Sequence, residues 1–96
     1  MKRLRLSREA LNDLDEIWDY TAETWGPDQA NRYLEDLRSV IEELPEGKTV
    51  SQGAEDTLPG ARKVFRGRHV VFFRDSIETI DVIRVLHQQM DAGRWV

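Results

Sequence analysis

The 96-residue sequence contains no cysteine. That excludes disulfides, thiolate nucleophiles and Cys-based zinc sites, and it suits a reducing compartment. No apolar run approaches the roughly 18 residues needed to span a bilayer. The basic start, MKRLRLSREAL, lacks the apolar stretch of a signal peptide. The expectation is a cytoplasmic protein with no membrane contact, folded as one domain over residues 1–96. Gly-rich phosphate loops and the G-x-S-x-G elbow are missing too. Neither a cofactor nor a small-molecule substrate is therefore expected. There are two histidines, His69 and His87, with no third neutral or soft ligand at a recognisable spacing, which argues against a metal site.

What is present is charge, unevenly placed. The net charge is −4. Residues 8–48 carry twelve acidic and four basic side chains, whereas residues 1–7 and residues 61–96 each carry a surplus of three basic ones. Opposite fields are expected if these segments fold to opposite sides of the molecule.

Arg3 and Arg5 alternate with Leu4 and Leu6, the period of a strand with one apolar face. Ser7 is placed to cap a helix over about residues 8–25, with Glu9 in its first turn. Its stripe is Ala10, Leu11, Leu14, Ile17, Trp18, Thr21, Ala22 and Trp25. Gly26 and Pro27 end it and start a second helix, whose stripe runs Ala30, Tyr33, Leu34, Leu37, Val40, Ile41, Leu44. Asp28–Arg32 and Arg38–Glu42 are spaced to form charge pairs on its outer face. Residues 45–60, rich in Pro, Gly and Ser, are expected to form a long loop, a candidate for function or mobility. Three strands follow, at Arg62–Arg66, His69–Arg74 and about Thr79–His87. Gly67-Arg68 and Asp75-Ser76 provide the turns, and a short helical turn is expected in the tail.

The predicted order, β-α-α-β-β-β, is an α+β fold: a helical hairpin packed on one face of a small, mostly antiparallel sheet. It leaves a difficulty. Val71 and Phe73 oppose Val70 and Phe72 on the middle strand, and Ile80, Val82 and Leu86 oppose Ile83 and Val85 on the last. Both faces are apolar, yet two helices cover one. Either Trp95, Val96 and the long loop close the second face, or it is an exposed patch for a partner.

Pairing of the strands around their turns gathers Arg62, Lys63, Arg66, Arg68, His69, Arg84 and His87 toward one end of the sheet. Arginine binds phosphate bidentately, and a histidine can serve as acid or base on an RNA 2′-hydroxyl. The plainer reading is that strand arginines solvate and protect edges. Asp13, Asp15, Glu16 and Asp19, in DLDEIWDY, are most simply a solvated helix face. Trp18 and Trp25 belong to the core or a groove, and a groove there would anchor a partner helix.

Ser7-Arg8-Glu9-Ala10, Asp13-Leu14-Asp15-Glu16-Ile17-Trp18 and Trp25-Gly26 resemble the start of ParE toxins. Leu58-Pro59-Gly60-Ala61-Arg62, Gly67-Arg68-His69-Val70-Val71-Phe72-Phe73-Arg74 and Ile83-Arg84-Val85-Leu86-His87-Gln88-Gln89-Met90-Asp91 look like the same family, in order along the whole chain. The resemblance is to the ParE branch of the RelE/ParE superfamily. It implies a RelE/ParE-like fold and the toxin of a type II toxin–antitoxin pair. It further implies inhibition of DNA gyrase without catalysis, and neutralisation by a ParD-type antitoxin. That antitoxin would wrap the toxin with its C-terminal segment and bind operator DNA through a ribbon-helix-helix.

The alternative is a ribosome-dependent mRNA endonuclease of RelE type, with Arg66, Arg84 and His87 as the catalytic set. No tyrosine lies beyond Tyr33 to complete it. The antitoxin is expected on Leu11, Leu14, Trp18, Trp25, Tyr33 and Leu37, and by strand addition near Arg62, Val64 and Arg66. The target is expected on Arg68, His69, Arg84, His87, Arg94 and Trp95.

Overall fold

A computed structural model describes residues 2–90 and 92–95. Strand β1 (Arg3–Leu6) leads into helix α1 (Arg8–Trp25) and helix α2 (Pro27–Glu43), and a 3₁₀ turn at Leu44–Glu46 follows. Strands β2 (Gln52–Gly53), β3 (Ala61–Arg66), β4 (His69–Asp75) and β5 (Thr79–His87) come next, then a single-turn helix α3 (Ala92–Trp95). The five strands form one sheet in the order β1-β5-β4-β3-β2. β1 runs parallel to β5, and the other pairings are antiparallel.

The local signals work as their chemistry requires. Ser7 Oγ accepts from the Ala10 N–H at 3.0 Å and caps α1. Gly26 alone links the two helices, at a φ of 93° that favours glycine. Gly67 takes φ 58° at the first central position of the β3–β4 turn while Arg68 does not, the type II′ pattern. The α2 stripe is buried as predicted, with Ala30, Leu37, Val40 and Ile41 sealed and Tyr33 and Leu34 packed beside them.

Several expectations are corrected. The segment 45–60 is not loop throughout: Gln52 and Gly53 pair with Lys63 and Arg62, which adds a strand. The same segment closes the second sheet face. Ala54 and Leu58, with Ala92 of α3, cover Val70, Phe72 and Leu86, which decides between the two alternatives for that face in favour of closure by the loop, with Phe65 at its edge still 45% exposed. Trp95 is not part of this seal, and Val96 lies outside the described residues, as does Asp91.

The expected division of β5 into faces also fails. Phe72 pairs with Arg84 and Phe73 with Val82, so Ile83 is the extra residue of a bulge. Beyond it the alternation shifts phase, and Val85 joins Ile80 and Val82 under the helices while Leu86 turns to the other face. Among the described residues the ion pairs join distant segments: Lys2–Asp75, Arg5–Asp81, Arg66–Asp36 and Arg84–Asp13. Neither expected charge pair on α2 forms, and Arg32 donates to Gln29 instead. No helix of the described residues is long and apolar enough to cross a membrane.

Candidate functional site

β1 stops at Leu6, so the second half of β5 has no strand on that side. α1 runs past this gap, and a groove of about 820 Å³ opens between α1, the end of β5, the β3–β4 turn and the C-terminal helix. Its apolar wall includes Tyr20, Trp25, Met90 and Trp95, all of them exposed. Trp25 keeps 67% of its surface and Trp95 52%. Large apolar side chains left in water at a concave surface are the usual sign of a binding site.

Asp13 closes the floor. It is 7% exposed, although the sequence places it in an acidic run that looked solvated. Its Oδ2 accepts from the Val85 N–H at 2.9 Å, a backbone group that would otherwise lose its partner where β1 ends. Both its oxygens accept from Arg84, at 2.8 and 2.7 Å. Arg84 also donates to the Trp95 carbonyl, which ties β5, α1 and α3 at one point. The Asp13 hydrogen bond drives the Arg84 pKa above its already high ordinary value. This guanidinium is occupied within the protein.

Tyr33 organises the opposite end. Its hydroxyl accepts from the Arg68 N–H at 3.0 Å and lies 2.6 Å from His69 Nδ1. The side chain sits against Gly67 so closely that a Cβ there would lie 2.7 Å from its Cε1 and from its hydroxyl oxygen. His69 pairs with His87 across the strands, with ring centroids 5.3 Å apart. Burial, and next the neighbouring His87, lower the His69 pKa to about 4, partly opposed by Asp13. His69 is therefore neutral at pH 7. Burial likewise raises the Tyr33 pKa.

The expected site residues sort unevenly. Arg68, His69, Arg84, His87 and Trp95 share the groove, as do Trp25 and Tyr33. Arg94 is exposed outside it. Leu37 is 0% exposed and offers no contact surface, and the Val64 side chain is buried beneath the hairpin, which leaves only its backbone at the β3 edge. Leu14 packs partly against the core, and Leu11 is exposed. Trp18 is half-buried and donates through Nε1 to Asn31 Oδ1 at 2.9 Å.

Nor do the seven basic residues form one cluster. Arg62 is held by Ser51, at the far end of β3 from the groove, and Arg66 by Asp36. β2 occupies the β3 edge at Arg62 and Lys63, which leaves Val64–Arg66 for any added strand. Sequence reasoning missed Tyr20 and Asp13. Asp13 stands on the buried line Ala10, Asp13, Ile17, Thr21, a spacing that could have found it.

The chain matches the family model described as ParE toxin of type II toxin–antitoxin system, parDE, over residues 4–92. Toxin ParE1 of Mycobacterium tuberculosis is 43% identical over 93 residues, covering 96% of this chain and 95% of the relative. Toxin ParE1 of Caulobacter vibrioides is 44% identical over 92 residues, with the same shares covered. A solved structure described as the chromosomal ParDE TA system from P. aeruginosa superposes with a TM-score of 0.78 at 25% identity, over 91% of this chain and 96% of that one. By sequence and by fold, the chain belongs to the ParE toxins of type II toxin–antitoxin systems, within the RelE/ParE superfamily.

Proposed function

We propose that this toxin acts in the cytoplasm by binding DNA gyrase without catalysis, and that a ParD-type antitoxin neutralises it by occupying the same groove. One observation carries the reading. Residues expected to meet the target (Arg68, His87, Trp95) and residues expected to meet the antitoxin (Trp25, Tyr33) line one concavity. A shared surface makes neutralisation a matter of occlusion, with no conformational signal required. The non-catalytic part is supported by what the arginines are doing. RNA cleavage needs free cations at the phosphate, and of the expected catalytic arginines Arg84, the one lining the groove, is bound to Asp13, while Arg66 lies outside it.

Purified toxin should inhibit gyrase supercoiling. Trp95→Ala, which leaves the sheet intact, should weaken both this inhibition and antitoxin binding. Unchanged supercoiling at a large toxin excess would refute the gyrase target. Cleavage of mRNA on programmed ribosomes, lost in His87→Ala, would establish the endonuclease reading in its place.

A further inference from the structure

The polar end of the groove has a chemical polarity of its own. The Gln89 backbone N–H donates to His87 Nδ1 at 3.1 Å, so that nitrogen must carry a lone pair. The Tyr33 hydroxyl already accepts from Arg68 N, and the nearest acceptor for its own hydrogen is His69 Nδ1 at 2.6 Å, with the Arg66 carbonyl at 3.5 Å. With Nδ1 accepting in both rings, the hydrogen-bond geometry places the ring proton on Nε2. Among the described residues no buried side-chain nitrogen or oxygen lacks a partner. Since neither Nε2 has a hydrogen-bond partner among those residues, both reach solvent. Arg68 stands beside them, its backbone pinned by Tyr33 at N and by the Gln88 N–H at O. Three donor side chains line this end of the groove without an acceptor for them among the described residues. Across the groove α1 offers Glu16.

We propose that this end is a carboxylate receptor. It would take an Asp or Glu side chain from an amphipathic segment of the antitoxin, whose apolar residues lie on Tyr20, Trp25 and Trp95. Charge complementarity fixes the orientation: the acid meets Arg68, His69 and His87, and a basic residue of the segment faces Glu16. This rests on the reading that the groove is the antitoxin's docking surface. It adds which chemistry that segment must carry and which way round it lies.

The test is a selection of short randomised helical peptides on the full-length protein. Binders are counter-screened on Trp95→Ala, Arg68→Glu, His87→Gln and His87→Phe, each first checked for native thermal unfolding. Groove binders should share one acidic position at fixed spacing from apolar ones. Their affinity should fall about tenfold on Arg68→Glu, or when the peptide's Glu becomes Gln, as for a hydrogen bond to a charged group. His87→Gln keeps a donor in place of Nε2 and should bind almost normally, whereas His87→Phe should not. Peptides that need Trp95 but share no acid, or that ignore Arg68→Glu, overturn the receptor and leave the docking surface standing. Failure to enrich any peptide sensitive to Trp95→Ala overturns the docking surface itself, and the receptor with it.

Discussion

The two halves of β5 are flanked in different ways. Thr79–Val82 lies against β1 in a regular parallel ladder. Ile83–His87 has no strand on that side, and side chains replace it: Ser7 Oγ donates to the Ile83 carbonyl at 2.6 Å, and Asp13 receives the Val85 N–H. The first half is closed and unremarkable in its chemistry. The second half holds a buried ion pair and a histidine pair, with the groove alongside them. Backbone groups at the end of a ladder still need partners, and meeting that need with charged side chains leaves room for a site.

Substitutions in the second half should therefore cost far more than those in the first. The largest effect is expected from Asp13→Ala or Arg84→Ala, each leaving a desolvated charge behind. Urea unfolding should register a loss of about 3–5 kcal/mol, and a loss below about 1 kcal/mol would erase the distinction. Ser7→Ala removes a helix cap as well as the Ile83 contact and should cost about 1–2 kcal/mol in the same assay.

The pH dependence sharpens the comparison further. The His69 pKa of about 4 lies below its unfolded value near 6.5. As pH falls through that interval, the unfolded chain takes up a proton that the native protein refuses. The stability attached to His69 is thus complete above pH 6.5 and lost by about pH 4. Its size, discounted for the ring's partial exposure, is on the order of 1 kcal/mol. It should appear as a pH slope missing from His69→Phe. The smallest effect belongs to the ladder half. Arg5→Ala breaks an exposed pair with Asp81, and its melting temperature should match that of the parent.

Much of the fold could be read from single residues, because helix punctuation acts locally. Ser7, Gly26 and the α2 stripe needed no tertiary information. The bulge at Ile83 did, since every residue that changes phase there is apolar and either alternation reads equally well. Closure of the second face by the long loop was one of two alternatives the sequence left open, because its Pro and Gly content does not show that Ala54 and Leu58 turn inward. For the site, the sequence gathered Arg68, His69, Arg84 and His87 correctly from hairpin pairing. It misassigned Leu37 as surface, because a stripe does not reveal which of its members lies at the centre. It treated Arg84 as free because Asp13, 71 positions away, reads as solvent-facing in any charge count.

The parallel pairing of β1 with β5 carries a consequence for synthesis. The register joins Arg3–Leu6 to Thr79–Val82, and the Arg5–Asp81 bridge closes a separation of 76 residues. A ribosome delivers the helical hairpin early, but the first strand must wait for nearly the last one. Contacts this distant along the chain are slow to form. The groove beside β5 is therefore completed only after β5 itself has been made and paired, well after the helical hairpin has formed.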